Sequence, residues 1–237
     1  MSGFAIIPAA PVLLDDIDRT ETVRTAGLRA KIREILGTHS NWALPIDTLP
    51  PVAGLGGWGI DRGLDLRTDR LHTGGAWVEL VESLTETERS LAEAVDSAII
   101  VALLHAHATG VEVGALGSSA NLLLPVDLSG AAAEEAPLAP VDGAAEFDTA
   151  VVAALTAGAT LEAAAVVDLC AQGESMHANL SVLEAGIQHL IEQGAEISSV
   201  DVRFDERVHD VRSLCGTGSW TAAETGALQH PGVNDRD

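Results

Sequence analysis

Residues 122–130 read Leu122-Leu123-Leu124-Pro125-Val126-Asp127-Leu128-Ser129-Gly130. An apolar run of this length, closed by turn-forming residues, predicts a buried strand over about residues 121–128. An Ala/Glu/Pro-rich stretch with Ala136-Pro137 at its centre predicts a surface loop over 130–143. Glu146-Phe147-Asp148 then opens a predicted helix over 146–157. Strand, loop and helix in that order are the unit from which α/β sandwiches are built.

The same alternation extends in both directions. Phe4-Ala5-Ile6-Ile7 predicts a buried strand that stops at Pro8, and Pro11 continues an extended loop. A helix follows from about residue 19 to 36: Val23, Leu28, Ile32 and Leu36 recur at near-helical spacing, with Glu21 in the first turn and Gly37 past the end. A short strand is expected near Trp42-Ala43-Leu44, then a Pro/Gly-rich loop through Pro50, Pro51 and residues 54–59. Those glycines allow tight turns and equally allow backbone to approach a ligand closely. Residues 78–95 read as helical in their acidic part, and Asp96-Ser97 caps a buried helix over 98–107 that ends at Gly110. Beyond it, residues 111–116 and 197–204 read as strands, and 161–171 and 180–193 as helices. Residues 221–237 lose periodicity and read as a disordered tail. The expectation is one α/β domain over residues 1–220, with a central mixed sheet and helices on both faces.

Composition narrows the function. Of 237 residues, 47% are hydrophobic and 20% charged, which suits a folded core. Thirty-five acidic residues face 13 basic ones, a net charge of −22, and Lys31 is the single lysine. Such a surface repels phosphate backbones and anionic lipid, which argues against nucleic-acid and membrane partners. The run 4–14 holds two prolines and no basic residue, unlike a signal peptide. Two cysteines, Cys170 and Cys215, make no framework, so reduced thiols in the cytoplasm are the expectation.

The segment from Val126 to Asp148 resembles a motif of the class III extradiol dioxygenases. In that family a strand ends in Gly-Asp-Leu-Ser-His, followed by Ala-Pro and an acidic-Phe-Asp that opens a helix. The family's active-site acid/base is the His, and here that position is Gly130. The opening Ile6-Ile7-Pro8-Ala9-Ala10-Pro11-Val12-Leu13-Leu14 resembles the family's first strand, whose His is an iron ligand; Ala9 stands there instead. A second His ligand follows the family's second strand, and residues 49–54 of this chain contain no His. The third ligand, a Glu ahead of a helix with Gly-Ala near its end, matches Glu174, with Ala185-Gly186 in the following helix. The ending, from Val202-Arg203-Phe204-Asp205 to Trp220, is similar to divergent actinobacterial members of the superfamily, many of which lack the metal residues too. The resemblance implies the dioxygenase-like fold. Two missing His ligands and a missing acid/base imply no iron-dependent ring cleavage, because non-haem Fe(II) needs two His and a carboxylate on one face.

Other constellations carry less. His105-Ala106-His107 could chelate a metal on a strand, but on a helix the pair diverges by about 200° and faces the macrodipole. Glu174-x-x-His177 on one helical turn is an alternative metal pair. The spacing in Gly54-Leu55-Gly56-Gly57-Trp58-Gly59 is not that of a dinucleotide loop. Ser129 is followed by Gly130-Ala131, which makes no nucleophile elbow. The expected role is a binding module with no cofactor, metal or catalytic residue, taking a small molecule or protein partner. The competing roles are an enzyme with relocated ligands and a non-catalytic subunit of an oligomer. Any ligand is expected near Ala9, Ala10, Gly54, Gly56, Trp58, Asp127, Ser129, Gly130, Glu174 and His177, where the carboxyl ends of strands meet.

Overall fold

In the first strand, β1 (Ser2–Pro8), Ala5 and Ile7 belong to one apolar cluster while Phe4 and Ile6 belong to another. Alternation of that kind buries both faces of a strand, and helices must then cover both. The computed structural model describes residues 2–17 and 22–222. One cluster is closed by helices α1 (Val23–Leu36) and α4 (Ser97–Thr109). The other is closed by α5 (Ala144–Thr156), α6 (Ala163–Cys170) and α7 (Ser181–Glu192). The protein is therefore α/β, with a mixed central sheet.

The sheet also contains β2 (Asn41–Ala43), β6 (Glu112–Gly114), β7 (Leu122–Val126), β8 (Glu196–Ile197), β9 (Asp201–Val208) and β10 (Val211–Thr221). Its order is β6-β2-β7-β1-β10-β8, with β9 also on β10. Strands β6, β2, β7 and β1 run parallel, and β10 runs antiparallel to β1, β8 and β9. Pro125 lies inside β7, where a missing N–H would ordinarily break a ladder. The carbonyl of Val126 points to β1, where it accepts from the Ala9 N–H at 2.8 Å. Pro125 therefore faces the β2 side, and β2 meets β7 only at Ala43 opposite Leu122. No ladder bond is lost.

A second sheet, β3 (Val52–Gly54), β4 (Arg62–Asp65) and β5 (Arg70–Thr73), begins inside the expected Pro/Gly-rich loop and runs on beyond its end at Gly59. It joins the main core through Ala53, Leu55 and Leu64. Two helices follow, α2 (Gly75–Ser83) and α3 (Glu86–Glu93), and they correct the single helical stretch expected over 78–95. The break has a local cause: the Thr85 hydroxyl accepts from the Glu88 N–H while the Glu88 carboxylate accepts from the Thr85 N–H, a capping box that starts a new helix. The strand expected over 197–204 is likewise two, β8 and β9. The strand expected over 111–116 shortens to β6. Helix α1 starts at Val23 with Thr22 as its cap, and Glu21 and Arg19 lie outside the described residues. Residues 223–237, most of the expected tail, lie outside them too, whereas Thr221 ends β10. Among the described residues no single helix is long and apolar enough to cross a membrane.

Candidate functional site

The candidate residues fall into two groups. The first forms where β7 ends. Asp127 and Asn179 exchange backbone hydrogen bonds at 2.9 and 2.8 Å, and the Gly130 N–H donates to the His177 carbonyl at 3.2 Å. Ser129, fully buried, donates its hydroxyl to the Met176 carbonyl at 2.5 Å and accepts from the Ala131 N–H at 3.1 Å. Its own N–H donates to Asp148 Oδ1 at 2.9 Å. Asp148, on the first turns of α5, is 2% exposed, and its Oδ2 has no partner among the described residues. Ala9, 4% exposed, sits beside this turn through its bond to Val126, and Ala10 packs half-buried on the same core. Glu174 and His177 lie on a 3-10 turn (Glu174–Met176) with their side chains exposed, and His177 takes a left-handed φ of 53°.

Burial makes both acids of this group weak. Desolvation, joined by the charge of Asp148, raises Asp127 to about 7. Desolvation raises Asp148 to about 6, against the pull of the Ser129 N–H and of Arg212 and Arg207. Two carboxyls near neutral pKa mark a candidate for proton transfer. Asp148 also borders a small surface cavity with Arg207 and Arg212, and none of these three residues lines the cavity at Trp58. The group's evident work is to hold the strand-end turn against residues 176–179.

The second group lines a cavity of about 470 Å³. Gly54, Gly56 and Trp58 come together there, with Trp77, Arg89 and Ser97. A cross-strand pair of glycines, Gly54 and Gly63, carries the Trp77 indole that lines the cavity. A Cβ on Gly54 would stand 2.0 Å from Trp77 Cζ2, and one on Gly63 2.4 Å from its Cη2, so only glycine fits beneath the ring. Residues 56–58 form a 3-10 turn ended by Gly59 at φ +70°, which leaves Trp58 43% exposed at the cavity. Trp42, the other bulky side chain near strand β2, is buried in the core and donates its indole N–H to the Leu36 carbonyl at 2.9 Å.

Asn179 connects the groups. Its amide donates to Asp96 Oδ1 at 2.8 Å and to the Ser97 hydroxyl at 3.3 Å, and Ser97 lines the cavity. Asp96 also caps α4 through the Ala98 N–H at 2.7 Å and accepts from the Ser181 hydroxyl at 2.6 Å. Ala9, Ala10, Asp127, Ser129, Gly130, Glu174 and His177 are not among the residues lining the cavity. Trp77, Arg89, Ser97 and Asn179 are additions that residue patterning did not single out. Asp96-Ser97 had been legible only as a helix cap.

His105 and His107 share helix α4 but not a site. His105 is buried, and desolvation pushes its imidazole down to about 4, so it is neutral and does not act as a cation toward the macrodipole. Among the described residues no group of three or more His, Cys, Asp or Glu is placed to hold a metal ion. No protein-family model and no curated protein matches the chain.

Proposed function

We propose that this chain is a dioxygenase-like protein without ring-cleavage activity that binds a small molecule in the cavity bordered by Gly54, Gly56 and Trp58. The observation that carries the reading is the cavity itself: about 470 Å³, with Trp58 at its mouth and the Trp77 indole in its lining. Pockets of this size and apolar character suit small ligands. The sequence supports the loss of chemistry, since Ala9 and Gly130 stand where the resemblance expects an iron ligand and the acid/base. Exposed Glu174 and His177 on one 3-10 turn offer two donors at most, short of the three-ligand face that Fe(II) oxygenases use. The two buried thiols and the acidic surface fit a cytoplasmic protein.

Two measurements test this. Naphthalene, added to the intact protein, is expected to change tryptophan emission saturably, and Trp58→Ala is expected to weaken that binding. Metal content after purification, with oxygen uptake on simple catechols, tests the chemistry: stoichiometric iron with oxygen consumption would overturn the non-catalytic reading. No saturable naphthalene response would overturn the binding reading.

A further inference from the structure

Helix α3 is an anomaly in a protein with a well-filled core. None of its eight residues is buried, and Leu91 is 51% exposed. Ala92 alone packs, half-buried, against the Trp77/Leu84 cluster. The helix is tied at its start by the capping box and by the Arg67 Nη1 to Glu88 Oε1 ion pair at 2.7 Å. At its other end Val95 leads directly into the Asp96 cap of α4. A helix held by its ends and scarcely by its middle is a strap.

What lies under the strap gives it meaning. On one side is the Trp58/Trp77 cavity, which α3 and its tail border with Arg89, Ala92, Glu93 and Val95. On the other is a second cavity of about 380 Å³, bordered by Leu91, Ala94 and Val95 from the same segment. Its far wall is Pro45, Ile46, Leu49 and Pro50, the chain that leaves the carboxyl end of β2. Val95 is a wall of both. We propose that the two cavities are the ends of one cleft, closed by α3, that takes an elongated, uncharged, mainly apolar molecule running from Trp58 to Pro45. The proposal rests on the binding reading above and specifies its ligand.

Charge argues for a neutral occupant. Arg89 donates a guanidinium N–H to the Val81 carbonyl at 3.1 Å, and Glu93, one turn further along α3, sets the opposite charge on the same cavity lining. Asp96, the acid of the second cavity, already accepts from Ala98, Asn179 and Ser181. A charged ligand would therefore meet lining charges of both signs and no unopposed counter-ion, at a large desolvation penalty. Length follows from placement, since a compact molecule fills one cavity and leaves the strap with nothing to close on at the other.

The test uses the full chain, diphenylhexatriene as a long neutral fluorescent probe and naphthalene as a short one. Ala94→Phe puts a phenyl ring into the second cavity, which Ala94 borders without lining the Trp58/Trp77 cavity. It is expected to weaken diphenylhexatriene by about tenfold or more while leaving naphthalene within about twofold. Retained naphthalene binding shows that the variant is folded. In the wild type, diphenylhexatriene is expected to slow amide hydrogen exchange across residues 86–94 by about tenfold, as a loosely packed helix becomes covered. Naphthalene binding without diphenylhexatriene binding, or no effect of Ala94→Phe on the long probe, would refute the single cleft and leave the cavity reading standing. Failure of both probes would refute both.

Discussion

Replacing Asp127 with Asn tests the electrostatics of the strand-end turn directly. Burial and the neighbouring Asp148 raise the Asp127 carboxyl from 3.8 to about 7. The folded protein thus keeps a proton that the unfolded chain releases at lower pH. The stability this provides is complete below 3.8 and is lost as pH rises through 7. A displacement of roughly three pK units at about 1.4 kcal/mol each amounts to about 4 kcal/mol, an upper figure because Asp127 keeps part of its surface in water. Asn cannot ionise, so the variant should be nearly isostable with wild type at about pH 4 and more stable by about 2–4 kcal/mol at about pH 8. His105 slopes the opposite way: its pKa falls from 6.5 to about 4, which gives stability above 6.5 that is lost toward 4. That contribution is the same in both proteins and cancels in the difference. Urea unfolding across the range gives the curve, and a difference between the two proteins that does not change with pH would refute the reasoning.

Two further outcomes are expected. Gly63→Ala drives a methyl into Trp77, with its Cβ 2.4 Å from the ring, and should destabilise the small sheet by about 1–3 kcal/mol with a red shift of tryptophan emission; unchanged stability and spectrum would show that the ring moves aside freely. Burial pushes both thiols up to about 12, so Cys170 and Cys215 should resist iodoacetamide at neutral pH until urea unfolds the chain, and mass spectrometry of the native protein reads this directly.

The alternation of strands and helices was legible because it rests on local signals: the apolar run at 122–126, the Asp96 cap, and the near-helical spacing of Leu28, Ile32 and Leu36. The small sheet was not, because its β3 and β4 carry Gly54 and Gly63, which weaken a strand pattern and are glycine for the sake of Trp77 above them. Strand β10 was equally hidden. Gly216 and Gly218 sit inside it because Cβ atoms there would strike the Asp201 carbonyl and Phe4, contacts that exist only after folding. Thr85-x-x-Glu88, by contrast, was present in the sequence as a helix-start signal inside a longer helical pattern, and the longer pattern masked it. At the site, the Gly54 to Trp58 turn could be singled out from its glycines. Trp77 and Asn179 reach their places through tertiary packing, which no spacing encodes.

The position of β1 has a consequence for how the chain is made. Phe4 pairs on one side with Leu122 and on the other with Gly218. During synthesis this apolar strand therefore has no neighbouring strand until β7 follows, and its second edge stays open until β10 is complete. Pairings this distant in sequence are slow to close, and an unpaired apolar edge is a template for association with other chains. Helices α1 and α4, which cover one face of β1, are both translated between the strand and its first partner. The order of elements thus lets a newly made strand be shielded on its face well before it is protected along its edges.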